Sequence, residues 1–550
     1  MMRTPAVRAA LRVAFGRPAM IVGRLPAVLW PVAVGVLATA GGVFGTAGGA
    51  VAQQVERPAA VAAHTAEERT ARYFDSIRND PVRTLIFLRG MPKGADLHSH
   101  LSGAIYTETY IRWAAEDGAC VDMLTGAFVG APCDAAAGRP PAAQALRDPA
   151  LHDLIIDAQS MRNWHQSQRS GHEQFFGAFD KFRIVSYRTG EMLAEVTSRA
   201  AAGKVSYIEP MLTPEGPASA ELGRSIGWDE DLSALRERLL QVGLRDTLQR
   251  ARQRLDAAEA TRREVLGCDG KRPDPGCAVV VRFQYQALRA RSPEMVFGSL
   301  LAGFELASSD PRVVGINFVQ PEDHVVAMRD YLLHMRMMDM LRRLYPDVRL
   351  TLHAGELRSG LVPPEGLRFH IRGAIESGHA SRIGHGVSIA HEHDPYGLLR
   401  TMAERNILVE IALGSNDAIL GVRGRHHPLR LYMSAGVPVA LVTDDEGVLR
   451  SELTMEYLKA VEEHDVGYLE LKSMARNSLE FAFVEGASLW ADLRTARPVS
   501  ECAGGLDVQE CRRYVAAHTR ARLQRELERS FAELEQMYDT TDAEEAWTSR

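Results

Sequence analysis

A (β/α)8 barrel with a helical insertion after strand one is the fold class the sequence predicts. Three observations carry it. Eight short apolar, β-branched segments recur along the chain. Stretches with helical periodicity separate them. Polar residues able to do chemistry follow the C-terminal ends of the segments. Strands alternating with helices build a parallel sheet covered on both faces. When such a sheet closes, its chemistry collects at the C-terminal ends of the strands.

The predicted strands, in order, are Ala95–His98, Val205–Met211, Val279–Tyr285, Val313–Val319, Arg349–His353, Arg382–His385, Leu408–Leu413 and Val437–Val442. Each reads as a nearly continuous apolar run rather than an alternating one, as strands buried on both faces require. Met328–Leu344 and Tyr396–Asn406 have the spacing of crossover helices. More than 100 residues separate the first two strands. This gap, about 110–200, is expected to hold the insertion, with the aromatic stretch Phe175-Phe176-Gly177-Ala178-Phe179 inside it. Asp229–Glu264 reads as long surface helices, and Tyr514–Met537 as one amphipathic helix. The barrel with its insertion and tail is expected over 65–545.

Composition narrows the class. The 550 residues are 46% hydrophobic and 24% charged, with net charge -6, ordinary values for a globular protein. No long basic run is present, which argues against nucleic-acid binding. Residues 1–52 differ: Arg3, Arg8, Arg12, Arg17 and Arg24 come with no acidic residue, then an apolar run covers about Leu25–Val43. Ala50-Val51-Ala52 has the small-x-small form of a signal-peptidase site, so 1–52 is expected to be a signal peptide and the protein exported, periplasmic or extracellular. An uncleaved membrane anchor is the rival reading. Cleavage would remove five positive charges and take the net charge from -6 to -11, leaving no stable membrane association. Six cysteines fall into three near-neighbour pairs, and local pairing 120–133, 268–277, 502–511 is the simplest of the arrangements they allow. Their even number and clustering suit disulfides in an oxidising compartment. Sequence leaves the oligomeric state open.

The strand ends hold the chemistry. Strand one ends in His98 and His100, strand five in His353-Ala354-Gly355-Glu356, strand six in Gly384-His385-Gly386, and strand eight in Thr443-Asp444-Asp445; strand seven runs into Gly414-Ser415-Asn416. Three imidazoles and a carboxylate suit one Zn2+ ion better than a hard cation such as Mg2+. Glu356 can face the same cavity as His353, and His385 is a second candidate for handling the proton of an activated water. Adjacent Asp444 and Asp445 can divide roles, one binding metal and the other substrate.

Met91–Ala104 (MPKGADLHSHLSGA), His353–Glu356 (HAGE), Arg382–Gly386 (RIGHG), Ser415-Asn416 and Thr443–Asp445 (TDD) together resemble the adenosine deaminase family over about residues 70–490. The signal segment, paired cysteines and long insertion resemble its secreted growth-factor branch. The resemblance implies hydrolytic deamination of adenosine or 2′-deoxyadenosine to inosine and ammonia. It implies His98, His100, His353 and Asp444 as zinc ligands. Glu356 would protonate purine N1, His385 would orient and deprotonate the attacking water, and Asp445 would hydrogen-bond N7. It matches Gly315 to a glycine whose N–H meets N3, and Phe175 and Phe179 to aromatic residues lining the purine pocket. Three departures touch substrate recognition. Ser102 stands where many members have Asp. Asn317–Glu322 (NFVQPE) replaces the usual Asp-Leu-Ala-Gly-Asp-Glu run. Glu446-Gly447 follows the Asp pair, where Pro is frequent. AMP is disfavoured for want of a basic cluster at the rim, the nearest being the solvated-looking loop Arg423–Pro428. Two other readings stand beside this one: a zinc amidohydrolase acting on another aminopurine, and a non-catalytic secreted zinc-binding protein.

Overall fold

The computed structural model describes residues 65–538. The expected signal peptide, 1–52, lies outside the described residues, as does the end of the expected barrel region. Eight parallel strands form the barrel: β1 Gly94–His100, β2 Val205–Leu212, β3 Phe283–Leu288, β4 Val313–Val319, β5 Arg349–Ala354, β6 Arg382–His385, β7 Leu408–Ile411 and β8 Val439–Leu441. Each pairs with the next in sequence order. Closure between β8 and β1 comes just past the end of β8, at a parallel bridge between Ser99 and Asp444. There Asp444 N–H donates to His98 O at 2.9 Å and His100 N–H to Asp444 O at 3.0 Å.

All eight strands fall where the sequence places them, with differences at their ends. The expected segment Val279–Tyr285 divides: Val280–Val281 pairs with β2, and the barrel strand proper runs from Phe283 to Leu288. The end of the seventh predicted strand is helical. Leu413 opens a helix to Leu420, whose first turn carries Ser415 and Asn416.

Along β1 the pairing register shifts between Asp96 and Ser99, and the pleat turns His98 to the barrel axis, where its Nδ1–H meets Glu410. The axis itself is polar. Arg382 of β6 is fully buried between Glu209 of β2 and Glu410 of β7, with both ion pairs at 2.6 Å. Gln284 of β3 donates to Glu209 at 3.0 Å, and Asn317 of β4 to Gln284 at 3.3 Å. Burying these groups is tolerable because their polar atoms find partners across the axis.

The insertion packs over the C-terminal rim of the barrel. Helix Gly171–Phe182 begins at a capping box, in which Ser170 Oγ accepts from Glu173 N–H at 3.1 Å and Glu173 accepts from Ser170 N–H at 3.0 Å. Its start lies against helix Leu413–Leu420 so closely that a Cβ on Gly171 would meet Ala418 O at 1.8 Å. Asp229–Glu264 holds helices Leu232–Gln241 and Leu244–Val265, as expected. The tail departs from expectation. It forms two helices, Gln509–Ala517 and Thr519–Met537, with His518 extended between them. Tertiary contacts break the helix there: His518 Nδ1 accepts from Ala487 N–H at 3.2 Å, and Arg520 N–H donates to Glu485 O at 3.1 Å. The disulfides are Cys120–Cys133, Cys268–Cys277 and Cys502–Cys511, the local pairing. Among the described residues no helix is long and apolar enough to cross a membrane.

Candidate active site and metal centre

Four residues from three strand ends converge on one point. Ligand atoms of His98, His100, His353 and Asp444 all lie within 4.8 Å of one another. His100 Nε2 is 3.3 Å from His353 Nε2 and 3.3 Å from Asp444 Oδ1, while His98 Nε2 is 3.5 Å from the same carboxylate oxygen. Buried His98 Nε2 and Asp444 Oδ1 have no hydrogen-bond partner.

The outward-facing atoms of these groups are held. His98 Nδ1–H donates to Glu410 Oε2 at 2.7 Å, leaving Nε2 as the lone pair. His353 Nδ1–H donates to Asn317 Oδ1 at 2.9 Å, with the same result. Ser415 Oγ donates to Asp444 Oδ2 at 2.6 Å. Lone pairs facing one another at these distances repel unless a cation lies among them. Outer partners that orient the ligands are what a metal site requires. Three imidazole nitrogens and one carboxylate oxygen therefore fit a single metal ion. The local field favours positive charge at this point. Burial disfavours charge on His98, yet the Asp444 and Glu410 carboxylates beside it pull its pKa up to about 10, toward a proton on Nε2 that a bound cation would displace. Burial and its imidazole neighbours hold His353 neutral, well below its ordinary range. Gly384 makes room for this cluster, since a Cβ there would meet His98 Cε1 at 2.8 Å.

Glu356, His385 and Asp445 stand next to the cluster. Glu356 is placed through its backbone: Glu322 accepts from Gly355 N–H at 3.1 Å and from Glu356 N–H at 2.8 Å, while His370 braces Glu322 at 2.6 Å. Burial, then the nearby Asp444 charge, pushes the Glu356 carboxyl well above the usual carboxylate range. Asp445 is raised for the same two reasons. Burial opposes ionisation of Asp444 too, but the His100 and His98 imidazoles beside it hold it well below its usual range. The two adjacent carboxyls are thus pushed in opposite directions, Asp444 toward the anion and Asp445 toward the neutral acid. Burial keeps the His385 ring neutral, lowering its pKa to about 4. His385 Nε2 lies 3.8 Å from Glu356 Oε1. His385 and Asp444 both adopt left-handed backbone, with φ 67° and 62°. Such conformations concentrate where side chains must be aimed at a site.

These groups open onto a cavity of about 390 Å3, a size suited to small ligands. Phe175, Phe176 and Phe179 form an aromatic wall, so both aromatic residues singled out in the sequence reach it. Gly315 does not. It lies near the start of β4, where a Cβ would meet the Phe483 ring at 2.7 Å, and the other end of β4 meets the cavity through Val319, Gln320 and Pro321. In the replaced run Asn317–Glu322 the family's glycine falls on Gln320, which carries the glycine-like φ of 83°. The order of residues in Asn317–Glu322 is the sequence signal that marks Gln320, whereas Gly315 is a glycine inside a strand. The rim differs from expectation as well. Arg423, Arg425 and His426 are exposed and absent from the cavity, whereas Arg183 and Arg291 line its mouth beside Ser102 and Gln286.

Known proteins resemble this chain in sequence and in fold. An adenine deaminase of Rhizobium leguminosarum bv. trifolii is 31% identical over 221 residues, 40% of this chain and 62% of that protein. One from Mesorhizobium japonicum is 32% identical over 185 residues, 34% of this chain and 52% of its own length. The chain thus spans less than two thirds of these relatives. Among solved structures, an Arabidopsis ADAL complexed with IMP is similar at TM-score 0.48 and 20% identity, covering 72% of this chain and 93% of that one. An amidohydrolase from Burkholderia ambifaria with bound Zn has TM-score 0.47 and 17% identity, covering 82% of this chain and 94% of that one. The family model for adenosine deaminase matches residues 164–489. That range holds His353, Glu356, His385, Asp444 and Asp445, and the barrel brings His98 and His100 to them from outside it. With more than half of its length matched, the chain belongs to the adenosine deaminase family.

Proposed function

We propose that the protein hydrolyses the C6 amino group of a purine nucleoside, converting adenosine or 2′-deoxyadenosine to the inosine product and ammonia with one Zn2+ per chain. The observation that carries this is the placement of Glu356, His385 and Asp445 around the four-residue metal cluster, at the floor of an aromatic-walled cavity. A structural metal site has no use for a buried protonated carboxyl beside it.

A bound Zn2+ would act as a Lewis acid and bring the pKa of water to about 7. The protein's residues supply the rest. Protonated Glu356 gives its proton to N1, which draws electron density from C6 and opens it to attack. Asp445, neutral and buried, donates to N7 and holds the ring in register. His385 orients the attacking water. Of the water's two protons, one ends on N1 by way of Glu356 and the other leaves with the amine. The polar rim of Ser102, Gln286 and Arg291 extends beyond the aromatic wall, which favours a substrate carrying a sugar. A second reading, the free base, has its own support, because the curated relatives are adenine deaminases.

Export is part of the proposal. Its support is the signal-like segment 1–52 and the pairing of all six cysteines as disulfides.

Zinc-loaded protein should turn over adenosine, followed by ultraviolet absorbance, in parallel with 2′-deoxyadenosine, adenine and AMP. Turnover of adenine alone moves the assignment to the free base. No turnover of any of the four refutes deamination. Glu356→Gln should lower kcat by roughly 10²- to 10⁴-fold with metal content unchanged; wild-type rate in that variant removes Glu356 from the acid role.

A further inference from the structure

His385 is held from behind by a hydrogen-bond relay that starts at a group with no choice of role. Leu429 N–H is a backbone donor, and it gives its hydrogen bond to His427 Nδ1 at 3.2 Å. Nδ1 is therefore a lone pair, and the His427 proton sits on Nε2. That Nε2–H donates to Asn416 Oδ1 at 3.0 Å. The bond fixes which way the Asn416 amide faces, turning its Nδ2 toward His385 Nδ1 at 3.0 Å. An amide nitrogen only donates, so His385 Nδ1 accepts. A neutral His385 ring must then carry its proton on Nε2, the nitrogen 3.8 Å from Glu356 Oε1.

Burial makes the relay rigid. His427 is 4% exposed, Asn416 0% and His385 1%, so no solvent competes for these atoms. His385 Nε2 is itself buried with no hydrogen-bond partner, and it faces the cavity. The relay spans three pieces of the fold: the loop after helix Leu413–Leu420, the first turn of that helix, and the end of β6. The loop 423–428, with its two exposed arginines, thus reaches the site through His427 beneath the floor, not through its charges at the rim.

We infer that His427 and Asn416 are positioning residues that lock His385 in its Nε2–H tautomer. His385 enters the reaction as a hydrogen-bond donor to the attacking oxygen and not as its base. The tautomer follows from the relay alone; the oxygen it serves rests on the deaminase reading above. The water proton that the family resemblance assigns to His385 therefore goes to Glu356. Once Glu356 has given its proton to N1, its carboxylate is the acceptor for the first water proton. The O–H bond of water breaks, an O–H bond forms on Glu356, and the acid is restored. The second proton still departs with the amine.

The test is histidine-selective 15N labelling of the full zinc-loaded chain and long-range 15N–1H correlation spectra. The His385 ring is assigned by its loss in His385→Gln. An Nε2–H tautomer at both His385 and His427 is expected in the wild type. An Nδ1–H tautomer, an average of the two or a doubly protonated ring at His385 overturns the inference. His427→Ala should spread His385 over both tautomers and lower kcat on the order of 10- to 100-fold, with little change in KM. His427→Gln, which keeps an N–H donor toward Asn416, should recover most of the loss. A single Nε2–H tautomer with full kcat in His427→Ala removes the positioning role. Asn416→Asp offers acceptors to both rings and should invert His385 to Nδ1–H; retention of Nε2–H there also counts against the relay. If His427→Ala fails to fold, the wild-type and Asn416→Asp spectra decide. A locked tautomer in a protein that deaminates no 6-aminopurine would leave the relay standing and remove the proposed function.

Discussion

Gly103 sets the strictest tolerance in the site. A Cβ at this position would meet Asp445 Oδ1 at 1.5 Å, so the residue three past His100 fixes where Asp445, proposed to bind purine N7, can lie. Gly103→Ala should displace Asp445 by about an ångström and cost on the order of 10²-fold in kcat/KM, with metal content intact; unchanged steady-state kinetics would free Asp445 from that role. The residues that touch the metal point were legible in sequence because each follows a strand and has the right donor type. Their supports were not. Glu410 holds His98 from 312 residues away, Asn317 holds His353 from 36, and His427 reaches His385 through Asn416. A carboxylate on a strand axis, or a histidine in a basic loop, has no local pattern that distinguishes it from a structural one. Only closure of the barrel brings it to its partner.

Strands were the most readable elements, since burial on both faces leaves runs such as Val313–Val319 with little polarity to confuse. Ends were less so: Leu413 looks like strand by composition, but the helix beginning there is stabilised by a residue far along the chain. Glu456, in helix Leu453–His464, accepts from Gly414 N–H at 3.0 Å and so caps the helix carrying Ser415 and Asn416. Burial raises the Glu456 pKa from 4.5 to about 8. The sign of its effect on stability follows. Between these values the folded state keeps a proton the unfolded chain has released, so stability falls as pH rises from 4.5 to about 8. Glu456→Gln keeps an acceptor for Gly414 and cannot ionise. Its chemical-denaturation midpoint should lose that part of the pH slope and exceed wild type near pH 8, by up to about 4 kcal/mol in unfolding free energy. Parallel pH profiles for variant and wild type would show that the Glu456 carboxyl is not the group responsible.

The barrel as a whole is least well closed where its chemistry is densest. Every other pair of neighbouring strands is joined by ladder hydrogen bonds, but among the described residues β8 and β1 share a single bridge, Ser99–Asp444. Helix Tyr468–Glu480 spans the rest of the seam: Asn477 donates to Val439 O at 2.9 Å, and Ser478 Oγ accepts from Ala95 N–H at 2.8 Å. At the rim, the seam is held by side chains that converge on the metal point, with His98 and His100 from β1 on one side and Asp444 beyond β8 on the other. A bound cation is therefore a fastener across the seam as well as a reagent, and its binding energy becomes folding energy. Free metal at a hundredfold excess over its Kd should add about 2.7 kcal/mol to stability. Stripping the metal with a chelator should lower Tm. In native-state hydrogen exchange, protection should fall first at the amides of His100 and Asp444 while β3–β4, remote from the seam, stays protected. A uniform loss across the barrel, or an unchanged Tm at matched metal occupancy, would mean that the helix alone closes the barrel.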